Sequence, residues 1–139
     1  MIIKQLSIEL QDQTGATWQV FQLLADSGVN ILSYSINDYH GHGILRLIVD
    51  DVHLAQEAFA AAKLQVELTD VYCLNVPNER GSMSKVLRWL NDNGVSLDFL
   101  YAFQYKGLSQ AIMRAADMSR LTAVMHRYEL NELNSNAAL

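Results

Sequence analysis

The sequence has little of what staples or punctuates small proteins: one cysteine, Cys73, and one proline, Pro77, in 139 residues. A single cysteine excludes an internal disulfide and any cysteine metal cluster. Inside a strand-like run it reads as a small buried residue. Charge is scarce, at 18% of residues, and cationic charge is scarcer, with ten Lys and Arg against fifteen Asp and Glu for a net −5. Residues 1–69 hold three Lys or Arg against eight Asp or Glu, and residues 70–139 hold seven against seven. No basic stripe forms in either half, which argues against nucleic acid as a partner. No apolar run reaches the length of a membrane span and the start is not signal-like, so the reading is a soluble, cytoplasmic protein with no membrane partner. No P-loop, Gly-x-Gly-x-x-Gly or Gly-x-Ser-x-Gly motif occurs, and no motif sets a nucleophile beside a base. The chain reads as a non-enzyme without a cofactor.

What the sequence does have is one stretch written twice. Gly15-Ala-Thr-Trp-Gln-Val-Phe-Gln-Leu-Leu-Ala-Asp-Ser-Gly28-Val-Asn-Ile31 returns as Gly81-Ser-Met-Ser-Lys-Val-Leu-Arg-Trp-Leu-Asn-Asp-Asn-Gly94-Val-Ser-Leu97, always 66 positions on. Each copy reads as a glycine, an amphipathic helix, a closing glycine and an apolar strand. Val20, Phe21 and Leu24 share one helix face, as do Val86, Leu87 and Leu90. Internal repetition settles the fold before anything else does. Half the residues are hydrophobic, enough for a packed core. A unit of about 65 residues is marginal alone, so two such units should lean on each other or on a second chain.

Taken in order, residues 2–10 alternate as a strand, with Ile2, Leu6, Ile8 and Leu10 on one face. Asp12-Gln13-Thr14-Gly15 makes a turn in which Asp12 or Thr14 can cap a helix running to about Ser27. A second strand is expected from Val29 to about Asp38, a turn at His40-Gly41-His42-Gly43, and a third strand from Ile44 to Val49. Asp50-Asp51 opens a second helix with Val52, Ala55, Phe59 and Ala62 on its apolar side, and Leu64, Val66 and Leu68 alternate as a fourth strand. The second unit repeats the plan. A strand through Tyr72, Leu74 and Val76 leads to a turn at Pro77–Gly81 and a helix. Strands follow at Leu97–Gln104 and Gln110–Ala115 around Lys106-Gly107, then a helix through Met118, Leu121, Met125 and Tyr128. A weaker strand is expected at Leu130–Leu133, with 134–139 frayed.

These elements predict an α+β fold of two tandem ferredoxin-like βαββαβ units, 1–69 and 70–139, side by side with antiparallel sheets joined. One sheet face then stays uncovered. In the second unit it would carry Phe99, Tyr101 and Phe103, where the first has Ser33, Ser35 and Asn37. Two readings are open: the rings belong to the core if the face is displaced by one residue, or they form a homodimer contact. The second is preferred. Trp18 and Trp89, on helix flanks, are expected to pack between units or at an oligomer edge. Met83, Met113, Met118 and Met125 read as core packing. His40 and His42 are spaced to meet one metal ion, but no further ligand stands near them in sequence, since His53 lies on the next helix and His126 in the other unit. No metal site is expected.

With the repeat laid out, the chain resembles a tandem ACT-domain protein. The resemblance rests on the strand, the polar loop ending in glycine, the helix, and then Gly28-Val-Asn-Ile31 or Gly94-Val-Ser-Leu97. Its best segment is Asp70-Val-Tyr-Cys-Leu-Asn-Val-Pro-Asn-Glu-Arg-Gly81, where the family often has Pro-Asp-Arg-Pro-Gly and this chain has Glu79-Arg80 at the second proline. The family implies a small-molecule sensor, usually for an amino acid, whose units pair through their second strands, with ligand between the β1–α1 loop of one unit and the second strand of its neighbour. Carried over, one site would use Asp12, Gln13, Thr14, Gly15 and Ala16 with Ser96, Leu97 and Asp98. The other would use Asn78, Glu79, Arg80, Gly81 and Ser82 with Asn30, Ile31 and Leu32.

The residues of those loops point the same way on their own chemistry. A helix N-terminus suits a carboxylate, glycine lets backbone approach a ligand, and Asp12, Asn30 or strand carbonyls can accept from an amino group. The same residues also serve as ordinary caps and turns. Two functions therefore stand side by side. One is an amino-acid-binding regulatory protein, allosteric through a homodimer or partner equilibrium. The other is a ligand-free subunit that docks a metabolic enzyme.

Overall fold

Alternation of apolar side chains makes strands and their 3.6-residue spacing makes helices, and the elements follow that pattern closely. The computed structural model describes residues 1–10, 15–39 and 42–133. In chain order they form β1 (Ile2–Leu10), α1 (Ala16–Asp26), β2 (Ile31–Tyr39), β3 (His42–Val49), α2 (Val52–Ala61), β4 (Glu67–Val76), α3 (Ser82–Asp92), β5 (Leu97–Tyr105), β6 (Leu108–Ala115) and α4 (Met118–Tyr128), with a π-helical turn at Glu129–Leu133. His40 and Gly41 of the first hairpin, the Gln11–Thr14 loop and the end expected to fray lie outside the described residues.

The chain forms two compact units: Lys4–Thr69, and Asp70 onward together with Met1–Ile3. In the first, β3 pairs antiparallel with both β1 and β2. Leu6 faces Leu47 across the β1–β3 pair and Ile8 faces Leu45, so these four share one sheet face. Val20 and Leu24 of α1 and Ala55 and Phe59 of α2 pack on that same face. Burying each of these Leu, Ile, Val and Phe side chains contributes about 1.5–3 kcal/mol. In the second unit β6 pairs antiparallel with β4 and β5. Tyr72, Leu74, Ala111 and Met113 receive Val86 and Leu90 of α3 and Leu121, Met125 and Tyr128 of α4. The four methionines named from sequence lie in or against this core, Met113 and Met125 fully buried and Met83 and Met118 partly so.

The helix ends repeat to the residue. Val29 N–H donates to Leu24 O and Gly28 N–H to Ala25 O. Val95 to Leu90 and Gly94 to Asn91 are their copies. This double closure needs a left-handed residue, which Gly28 and Gly94 supply at φ 79° and 69°. Asp51 and Asp117 cap α2 and α4 through carboxylates that accept from Leu54 and Arg120 N–H at 3.0 Å.

Two strand expectations are corrected. Leu64 and Val66 precede the strand, which starts at Glu67 and runs unbroken to Val76, so the end of the first unit and the start of the second are one element. The strand expected at Leu130–Leu133 is instead the π-turn continuing α4. There Glu129 accepts a hydrogen bond from the Tyr72 hydroxyl, which ties the turn down. The α+β class and the tandem plan are unaffected. Trp89 is corrected as well: it packs inside its own unit, with its indole N–H on Val124 O at 3.2 Å and its ring edge-on to Tyr128.

Candidate functional site

The two helices expected to border ligand start differently from the other two. Gly15 and Gly81 are the residues preceding α1 and α3, at φ 91°, ψ −6° and φ 82°, ψ −4°, and as glycines they give these helix starts no side-chain cap of their own. A Cβ built on either glycine meets nothing within 4 Å, so each glycine faces open space. N–H groups at a helix start carry partial positive charge and suit an anion. Asp12, Gln13 and Thr14 lie outside the described residues. In the second loop Glu79 N–H donates to Pro77 O and Ser82 N–H to Glu79 O, a tight turn that leaves Asn78, Glu79 and Arg80 exposed.

Within the first unit, Ala16 lines an open cleft of about 450 Å³ together with Leu10, Val20 and Leu23. Asn30 and Ile31 line a separate shallow groove with Trp18, Phe21 and Tyr34. Leu32 is half-buried on β2. Sequence reading offered the Asn30 side chain as an acceptor for an amino group. The structure adds that its backbone is already engaged: Asn30 N–H donates to Asp50 Oδ1 at 2.9 Å and Asn30 O accepts from Asp50 N–H. Within the second unit, Ser96 lines a small cavity with Gly94, Asp117 and Arg120, while Leu97 and Asp98 begin β5. The residues expected to work together lie in different units.

Phe99, Tyr101 and Phe103 sit opposite Arg114, Ile112 and Gln110, whereas Leu100 and Ala102 sit opposite Met113 and Ala111 of the helix-side core. The rings therefore lie on the sheet face away from the helices. They are half-buried there, Phe99 and Tyr101 stacked with centroids 6.0 Å apart. A second apolar surface is present in the first unit, where Tyr34 and Ile36, 62% and 51% exposed and not anticipated from sequence, join Trp18 at 67%. The signal for it was present in the replacement of Ser84, Leu100 and Ala102 of the second repeat by larger residues in the first.

Burial raises the Cys73 thiol pKa. That thiol is half-buried and donates to Gln110 Oε1 at 3.2 Å. His42 stands 3.5 Å from Glu9 and His53 3.0 Å from Glu57. Among the described residues no three metal-ligating side chains converge, and no helix is long and apolar enough to cross a membrane.

A small α+β unit carried twice, each copy opening a helix on a left-handed glycine, defines a tandem ferredoxin-like module. The sequence matches the model of the ACT domain pair over residues 1–137, and the chain belongs to that family. A Bacteroides thetaiotaomicron protein of known crystal structure is similar at 31% identity, over 93% of this chain and 90% of that one, with a TM-score of 0.85. The ligand-free regulatory subunit of aspartate kinase from Thermus thermophilus shares the fold at 16% identity, over 91% and 94% of the two chains, TM-score 0.59. Its Thermus flavus counterpart does so at 18%, over 93% and 96%, TM-score 0.57. No curated protein sequence matches.

Proposed function

We propose that this ACT pair binds a small molecule, an amino acid in the simplest case, and reports its presence by shifting a homodimer or enzyme-partner equilibrium. The observation that carries the reading is the contrast at the helix starts. Asp51 and Asp117 satisfy α2 and α4 with their own carboxylates, while Gly15 and Gly81 give α1 and α3 no side-chain cap. A ligand carboxylate completes such a helix start, and a neighbouring second strand supplies acceptors for the amino group. Asp12, Gln13, Thr14, Gly15 and Ala16 with Ser96, Leu97 and Asp98 make one such set. Asn78, Glu79, Arg80, Gly81 and Ser82 with Asn30, Ile31 and Leu32 make the other. A ligand shared between units shifts an equilibrium because it binds one arrangement better than another.

Thermal unfolding against each amino acid at millimolar concentration tests this. A ligand of the native state stabilises by about 2.7 kcal/mol at a hundredfold excess over Kd. A selective rise in Tm with one or two amino acids, lost in Gly15→Val or Gly81→Val, is the expected result. A flat panel removes the sensor reading. The second reading, a ligand-free subunit docking a metabolic enzyme, is favoured by the exposed Trp18, Tyr34 and Ile36 and by the rings on β5. Two of the structures sharing this fold are regulatory subunits of an enzyme.

A further inference from the structure

The repeat makes each unit a template for the other, and at one place they differ in volume. The cleft of about 450 Å³ in the first unit lies between the end of β1, the inner flank of α1 and the end of α2, its walls formed by Ile8, Leu10, Val20, Leu23, Ala62 and Leu64. Sixty-six residues on, Leu23 becomes Trp89 and Ala62 becomes Tyr128. Those two rings meet edge to face with centroids 5.8 Å apart, and the indole N–H donates to Val124 O. A smaller cavity of about 200 Å³ borders the same two rings, lined also by Lys85, Arg88, Asp92 and Glu132. The carbonyl equivalent to that of Val124 is Ala58 O, one turn before Ala62, which accepts the Ala62 N–H that closes α2.

We propose that the first unit's cleft is a ligand site in its own right, for a small aromatic molecule bearing an N–H donor, of the kind the second unit carries covalently as Trp89 against Tyr128. The site shares only Ala16 with the ligand reading above and stands or falls separately from it. Its volume is in the range of small-molecule pockets, which are mostly apolar with a few polar groups. Gln19 at the rim is the one side-chain amide available to orient a polar end. The second unit shows what fills such a space. An aromatic edge contact adds to simple burial, and in the first unit the Gln19 side chain, which lines the cleft, can accept from the guest's N–H.

Indole is the probe, titrated into the full chain and followed by methyl NMR and thermal unfolding. Shifts concentrated on the Val20, Leu23 and Leu64 methyls, with a rise in Tm, are expected. Benzofuran, the same shape with oxygen in place of N–H, should bind about fivefold more weakly, the worth of one hydrogen bond. The Leu23→Trp/Ala62→Tyr chain carries the second unit's rings in the first. It should lose the indole response while keeping whatever amino-acid response the wild type has. Should that chain fail to fold, Ala62→Leu is the milder plug, and the wild-type methyl map decides alone. The proposal is overturned by indole shifts centred on other residues, by no shift at millimolar indole, or by an unchanged response in a folded plugged variant.

Discussion

Replacing Gly81 by alanine separates backbone conformation from every other contribution at that site. The residue sits at φ 82°, and a Cβ added there meets no atom within 4 Å. No clash, cavity or lost contact enters, and the perturbation is conformational alone. An L-residue in the left-handed region costs about 1–2 kcal/mol relative to glycine. That figure outweighs the unfolded-state entropy a methyl group removes. For a unit of this size it corresponds to a fall in Tm of about 4–16 °C. Asparagine tolerates the left-handed region and caps helices, so Gly81→Asn should fall between glycine and alanine. Gly15, at φ 91° and equally open, should behave as its twin. The assay is thermal unfolding of the four variants, with urea titration to confirm an unchanged slope. A neutral Gly81→Ala, or alanine and asparagine losing equally, would refute the conformational argument. A loss above about 4 kcal/mol would mean a steric contact the geometry excludes.

Asp51→Ala and Asp117→Ala each remove a carboxylate cap and should destabilise their unit by about 0.5–2 kcal/mol in urea unfolding, while Asp→Asn should retain most of it. Tyr128→Ala deletes a buried ring and the edge contact to Trp89, an expected loss of about 3–5 kcal/mol read by chemical denaturation. Burial, and after it the hydrogen bond to Glu129, raises the Tyr72 hydroxyl pKa above its usual 10. Its contribution is therefore complete below pH 10. Above pH 10 the unfolded chain releases a proton that the folded chain keeps, so stability falls by about 1.4 kcal/mol per pH unit. Tyr72→Phe should flatten that part of the alkaline unfolding curve, leaving the share of Tyr128, whose hydroxyl pKa burial also raises.

Much of this molecule was written locally. Glycines at 15, 28, 81 and 94 and the aspartate at 51 each act on backbone within a few residues of themselves. The 66-residue spacing of the glycines therefore marked both ends of the first helix of each unit from sequence alone, while the structure adds Asp117 as the cap of α4. The apolar periods did the same for the helix faces, apart from Leu87, which is 42% exposed. Alternation put Phe99, Tyr101 and Phe103 on one face, and the pairing of β5 with β6 decided that it is the face away from the helices. The residues of the two loop sets came from the resemblance to the family, and their role in binding is the one proposed above.

Other features depended on contacts that no local window contains. Leu64, Val66 and Leu68 alternate as a strand should, yet hydrogen-bonding partners decide where a ladder begins, and β4 begins at Glu67. At Leu130–Leu133 the repeat calls for a strand, but Leu130 and Leu133 stand three apart, Glu129 is held by a hydroxyl 57 positions away, and the chain there continues as a helical turn. Trp89 on its flank could have faced outward. It turns inward because Val124 O and the edge of Tyr128 stand there to receive it. The open cleft beside Leu23 and Ala62 is the same lesson in reverse. Sequence determines which side chains are large and which helix face they occupy, because those are properties of the residue and its neighbours. Whether two faces leave a void between them is set by volumes summed across elements distant in the chain, and only tertiary packing decides it.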